Sequence, residues 1–421
     1  MAEVSTRGRR MGLTRSGAAA SGSAAVAVAA EKPRYHAFDA LRGLTMFLVI
    51  GLHAALAYVS TDIKGVLWCV RDAPTWPAFD WFCWWAMGVS NPLYFTIAGF
   101  FAVMLYDAKG PRSFLVNRWR RVGLPFLVGC LTVLPLCLLA WVSGWLASGR
   151  CTWREAVRLR FLDPVIQSQR LGSGHLWFLE YLLVMVLIYA WLRHRPGRLG
   201  PILARLRVGL DRAVGSAWAP LWLAIPTTAL LWISRQKVGV DAILDRYVSF
   251  LIDPVKLAHH SAFFLAGVAL YGLRHDLARL ARPARWYLAL AVPAFAVRAW
   301  LIARDQAAPL HGVEEMALVA SGALFSWLMV FGAIGAAQAV VRRPSPTLSY
   351  LADSSYWIYL VHMPLLGLIQ VDLYRVPGHA LGKFPIVLGL TLALGFASYQ
   401  VLVRHSFLGM ALHGRRARPG P

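Results

Sequence analysis

An all-α, polytopic membrane bundle is the fold this sequence predicts, and three observations carry it. Of 421 residues, 58% are hydrophobic and 15% charged, more apolar surface than a soluble chain of this length can hide. Apolar runs long enough to cross a hydrocarbon layer of ~30 Å recur from one end to the other. Most Lys and Arg lie between those runs rather than inside them, as orientation by positive charge requires.

The elements follow in order. Residues 1–33 are mainly Ala, Gly, Ser and Arg, which cannot build a core, and are expected to form a disordered cytoplasmic tail. Residues 34–405 form the transmembrane domain, and 406–421 a short basic cytoplasmic tail. Ten spans are expected, near 37–59, 79–106, 122–146, 173–192, 215–234, 257–273, 284–303, 316–340, 349–371 and 383–404. With the N-terminus inside, cytoplasmic segments hold 28 Lys and Arg and the opposite loops 14. That bias puts both termini in the cytoplasm, in a cell inner (plasma) membrane protein.

The net charge of +23 does not point to nucleic acid, because no basic domain is interleaved with aromatic residues. Cys69, Cys83, Cys130, Cys137 and Cys151 show no CxxC or Cys/His ligand spacing, so no metal is expected. Cys69 and Cys151 fall in loops expected on the outer side and are either free thiols or a pair. Residues 147–172 carry Arg150, Arg154, Arg158, Arg160 and Arg170 on that side. Either a span is miscounted nearby or the loop is an Arg-bearing lid for an anionic partner.

Span one, within YHAFDALRGLTMFLVIGLHAALAY, carries Arg42 and His53. Eleven residues are about three turns, so both share one stripe, ~16 Å apart along the axis. Ionisable groups inside a span mark functional sites by default. His53 suits a general base that takes a proton from an attacking hydroxyl. Arg42 either holds an anionic group or pairs with Asp39 one turn earlier.

Arg118 and Arg121, in the inner segment PRSFLVNRWRRVGLP, are spaced to project from one helical face and suit phosphate oxygens; ordinary positive-inside charge is the alternative. In span two, Gly99 permits close helix approach. Glu180 in span four needs a cation or a polar cavity, and His175 at its outer edge either meets substrate or is interfacial. In span nine, Asp353, Ser354 and Ser355 read as helix-start caps, with His362 two turns after Ser355. His259 and His260 read as interfacial residues. No Ser–His–Asp order stands out, so a serine hydrolase is not indicated.

Four stretches together resemble the acyltransferase-3 family of integral membrane O-acyltransferases, over almost the whole chain after the tail. FDALRGLTMFLVIGLH is similar to that family's first-helix motif, with Arg42 and His53 in its Arg and His positions. NPLYFTIAGFF resembles its second-helix signature, with Ala98 where many members have Ser. NRWRR resembles its Arg-x-x-Arg element at Arg118 and Arg121. SSYWIYLVHMPL resembles its late Ser-Tyr-x-x-Tyr-Leu-x-His stretch. GHLWFLEYLL and ADSSYWIYLVHMPL look most like the branch associated with succinylating periplasmic glucans.

The resemblance implies cytoplasmic acyl-CoA as donor substrate, with no permanently bound cofactor, and a hydroxyl acceptor, usually a sugar, reached from the outer side. His53, Arg42, Asp39, Glu180 and His362 would then be catalytic. Arg118, Arg121 and Arg42 would bind the coenzyme, and His175, Ser355 and Tyr356 the acceptor. The rival is a transporter or flippase with Arg42, His53, Glu180 and Arg298 along a proton or substrate path. The absence of a visible internal repeat weighs against it.

Overall fold

The computed structural model describes residues 35–163, 166–167, 172–245 and 249–413; the tail expected over 1–33, Arg170 and the residues after 413 lie outside them. Among the described residues the chain forms helices and no strand. In chain order these are α1 (His36–Ala55), α2 (Pro77–Arg118), α3 (Leu124–Ala147), α4 (Trp153–Arg158), α5 (Trp177–His194), α6 (Gly200–Gly215) and α7 (Ala219–Val238). Then come α8 (Pro254–Gly272), α9 (Ala281–Ala307), α10 (Gly312–Val340), α11 (Pro346–Tyr374), α12 (Ala380–Ser398) and α13 (Phe407–His413).

Seven helical stretches among the described residues are long and apolar enough to cross a membrane: 36–55, 77–147, 174–194, 277–307, 312–340, 346–374 and 380–403. The second runs α2 into α3, two expected spans, through a π-helical turn at Trp119–Gly123. The expected spans at 215–234 and 257–273 also fall on helices, α7 and α8. These carry Arg235, Lys237, Lys256, His259 and His260 and are less apolar.

Local chemistry sets the element ends. The segment expected as an inner loop after span two is mostly helical, because helix-forming residues continue through Arg118. The chain turns only at Gly110, whose φ of 74° suits glycine, just before Pro111. α11 starts at Pro346, with Ser345 Oγ accepting from the Leu348 amide. The expected caps Asp353, Ser354 and Ser355 therefore lie inside the helix. Ser354 and Ser355 donate instead to the carbonyls of Leu351 and Ala352, at 3.1 and 2.8 Å.

Two packing seams position the site. α1 lies against α2 and α11, and α3 lies along α11. α2 and α8 touch backbone to backbone: a Cβ at Gly99 would stand 1.9 Å from the Phe264 carbonyl oxygen, and one at Gly267 1.9 Å from that of Thr96. Small residues let helices approach this closely, and van der Waals packing then holds them where lipid supplies no hydrophobic drive.

Candidate active site

His53 sits near the C-terminal end of α1, and α11 brings His362 against it. The two rings are joined by a contact of 2.9 Å between His53 Nδ1 and His362 Nε2. His362 Nδ1 lies 2.7 Å from the Tyr359 carbonyl oxygen and 3.2 Å from that of Ile358. A carbonyl only accepts, so Nδ1 of His362 carries the proton and its Nε2 carries the lone pair. His53 Nδ1 must then donate to that lone pair. With its proton on Nδ1, neutral His53 carries its lone pair on Nε2.

A third imidazole completes the row. His175, in a short 3₁₀ turn before α5, is buried, with its ring centroid 5.4 Å from that of His362. Its Nε2 donates to the Leu360 carbonyl at 3.1 Å, while its Nδ1 has no hydrogen-bond partner. The Leu360 carbonyl is free for a reason written in the chain: residue 364 is proline, which has no N–H to close the i→i−4 bond onto it. Tyr359 donates to the His175 carbonyl at 2.6 Å and fixes the turn.

Trp68 stacks on His53 at 6.0 Å between centroids and 16° between planes. Its indole N–H donates to Gln370 Oε1 at 2.7 Å, and Gln370 Nε2 donates to the Ala54 carbonyl at 2.9 Å. The loop carrying Trp68 is clasped by α3. Trp141 and Trp145 donate to the Leu67 and Trp68 carbonyls at 2.6 and 3.2 Å. A Cβ at Gly144 would stand 2.5 Å from the Cys69 carbonyl oxygen. The buried Lys383–Asp72 ion pair, at 2.7 Å, and the Asp80 carboxylate, accepting from the Ser60 and Thr61 amides at 2.9 Å each, hold the loop's flanks.

Two cavities of opposite character flank Trp68. One, of about 420 Å³, is lined by His53, His175, Leu134, Leu138, Trp141 and Met363 among others. The other, of about 450 Å³, includes Asp62, Arg71, Ser148 and Arg150 in its wall. Leu56, Val66 and Trp68 belong to both.

The other end of α1 holds the guanidinium cluster. Arg42 lies 3.6 Å from Asp39, which is buried, and donates to the Ala352 carbonyl at 3.2 Å. Arg121 repels both Arg118 and Arg42 electrostatically, so the three cations form one group. Arg118 donates to Asn117 at 2.8 Å and keeps its buried Nε without a hydrogen-bond partner. Tyr356 donates to the Arg121 carbonyl at 2.8 Å, which places it with this cluster. Ser355 turns its hydroxyl back into its own helix.

Glu180 is buried beside Ser173, with Oε2 lacking a hydrogen-bond partner and no ion pair among the described residues. Arg298 is wholly buried, but Asp241 occupies it, so it does not join His53 along a common path. His259 and His260 are buried, not interfacial, and pack on aromatic rings. In the Arg-rich loop, Arg150 pairs with Asp163 at 2.8 Å and Thr152 and Glu155 form a capping box. The Leu162 amide and Thr152 hold the Glu155 carboxyl below its ordinary range. Cys69 and Cys151 are buried free thiols, and no His, Cys, Asp or Glu cluster among the described residues suits a metal ion.

Sequence reading missed Trp68 and Gln370. A glutamine inside the apolar run LLGLIQVDLY was the available signal, since a buried amide needs partners. The proline two residues after His362 was the corresponding signal for His175.

Residues 35–400 match the model of a family described as an acyltransferase domain. Glucans biosynthesis protein C of Escherichia coli O6:K15:H31 (strain 536 / UPEC) is 24% identical over 400 residues, 91% of this chain and 95% of that protein. The proteins of the same name from strain E24377A and strain K12 are each 23% identical, with the same coverage. No solved structure matches.

Proposed function

The chain belongs to this acyltransferase family and is an acyltransferase, and from that premise we propose that it moves an acyl group from cytoplasmic acyl-CoA to a hydroxyl of an envelope glycan or another extracytoplasmic acceptor. On this reading it crosses the inner membrane ten times with both termini inside. The observation that carries the mechanism is the His53–His362 relay, which puts the lone pair of neutral His53 on Nε2 in a residue that lines a cavity.

The steps follow from the atoms. Coenzyme phosphates dock on Arg42, Arg118 and Arg121, whose mutual repulsion an anion relieves. From there the thioester arm follows α1 for ~16 Å to His53. The acceptor enters through the polar cavity on the other side of Trp68. His53 Nε2 takes its hydroxyl proton as the oxygen attacks the thioester carbonyl, and His53 Nδ1–H stays bonded to His362 throughout. The tetrahedral oxyanion collapses by breaking its bond to sulfur. The thiolate leaves and recovers the proton from His53, giving free coenzyme A and an ester. The His362–Tyr359 carbonyl bond keeps the lone pair of His362 turned to His53, so that the proton of neutral His53 is held on Nδ1 and its lone pair on Nε2.

The test is mass spectrometry of envelope glycans from cells with and without the gene, paired with isotope-labelled acyl-CoA supplied to the protein in vesicles. The expected result is one acyl mass increment that disappears with the gene and carries the label when the donor does. An unchanged glycan profile with no donor consumed overturns the reading.

A further inference from the structure

The cavity beside His53 is informative about what is transferred. Resting on the donor reading above, we infer that the acyl group seated there is an uncharged hydrocarbon chain of several carbons, not a dicarboxylic or two-carbon group. Its size is the first reason. About 420 Å³ lies within the range of sites that enclose whole small molecules, ~300–1,000 Å³. An acetyl group would leave most of that space without packing partners.

Its chemistry is the second reason. Leu52, Leu134, Leu138, Trp141 and Met363 present hydrocarbon, and no Lys, Arg, Asp or Glu lines the cavity among the described residues. A terminal carboxylate placed here would lose its water and find no cation among these lining residues.

The third reason is the contrast across Trp68. The charged residues Asp62, Arg71 and Arg150 lie in the neighbouring cavity, which suits a polar, hydroxyl-bearing acceptor. An acyl chain lying along α3 with its carbonyl at His53 puts apolar donor and polar acceptor on opposite sides of one indole. Trp68, pinned by Gln370, is the partition between them.

The full-length protein in vesicles is assayed with acetyl-, butyryl-, hexanoyl-, octanoyl- and succinyl-CoA. The expected kcat/KM rises by about fourfold per added methylene until the cavity is filled, with succinyl-CoA below butyryl-CoA. Leu138→Trp, which fills the cavity, lowers the octanoyl-to-butyryl ratio by at least tenfold. Preference for acetyl- or succinyl-CoA, or an unchanged ratio in that variant, overturns the inference. An octanoyl-CoA with a terminal diazirine gives a readout independent of turnover. Labelling of α3 between Cys130 and Trp141 supports the inference, even where no thioester is consumed and the proposed catalysis fails. Labelling elsewhere overturns it, as does a diazirine phospholipid that labels those residues and resists displacement by octanoyl-CoA.

Discussion

The row of imidazoles beside Trp68 and the ionic cluster around Arg298 are both buried polar groups in a membrane protein, yet they are completed in opposite ways. Arg298 and Asp241 are fully buried. Arg298 Nη2 lies 3.0 Å from each carboxylate oxygen and Nη1 donates to the Leu318 carbonyl at 3.0 Å. Lys256 and Asp245 pair nearby at 2.8 Å. The fit is tight: a Cβ at Gly322 would stand 1.9 Å from Arg298 Nη1, so glycine is required where the guanidinium lies. Each charge there meets its opposite, and the cluster lines neither cavity described above. The imidazole row is instead joined by hydrogen bonds. His53 donates to His362, which donates to the Tyr359 carbonyl, and both His53 and His175 line a cavity. Burial alone thus does not mark a reactive group; a basic side chain that also lines accessible space does.

The largest effects separate the two regions by kind. His53→Ala is expected to lower acyl transfer by about 10²–10⁴-fold, the usual range for a general base, with expression and thermal unfolding in detergent near wild type. A variant that keeps full activity sinks the mechanism. Arg298→Met is expected to do the reverse. Removing one member of a buried pair destabilises by about 3–5 kcal/mol, because Asp241 keeps an uncompensated charge. Replacing both, as Arg298→Met with Asp241→Leu, is expected to restore much of that stability, read as the unfolding midpoint. If the double variant is no better than the single one, the pair does more than hold α9 to the segment before α8.

Next in size is the inner cluster. Arg118→Ala with Arg121→Ala removes two charge-assisted contacts of about 1.5–3 kcal/mol each. KM for acyl-CoA is expected to rise at least tenfold while kcat changes little, since the thioester carbonyl reacts ~16 Å away. A fall in kcat at unchanged KM would move the phosphate site elsewhere.

The comparison also marks what was legible in the sequence. Arg42 and His53 were visible because a charge in an apolar run has few explanations, and Gly99 because a small residue at a helix contact has a packing reason. The partners were not visible. His362 reaches His53 from 309 residues away, and nothing in its own helix indicates which ring it meets. Arg298 looked like a member of the same path because Asp241 lies outside any span, in a turn after α7 whose register no periodicity reveals. His259 and His260 looked interfacial because they begin a helix; the close approach at Gly99 and Gly267 draws that helix into the bundle, where both are buried. Helices were legible one at a time, whereas the site is a property of their contacts.

The smallest expected effect tests the partition itself. Trp68→Phe keeps an aromatic face over His53 but removes the indole N–H that holds Gln370, and with it a bond worth about 1 kcal/mol. If Trp68 only covers His53, the ring suffices and transfer stays within about twofold of wild type. If the bond to Gln370 fixes where the wall stands, transfer falls by roughly fivefold and hydrolysis of the donor rises, because water from the polar cavity reaches the thioester. Gln370→Leu should reproduce that leak from the other side of the bond, since Trp68 then has no acceptor and the Ala54 carbonyl loses its donor. Combining the two changes discriminates further. A double variant no worse than either single one identifies a single Trp68–Gln370 wall, whereas additive losses assign the two residues separate tasks.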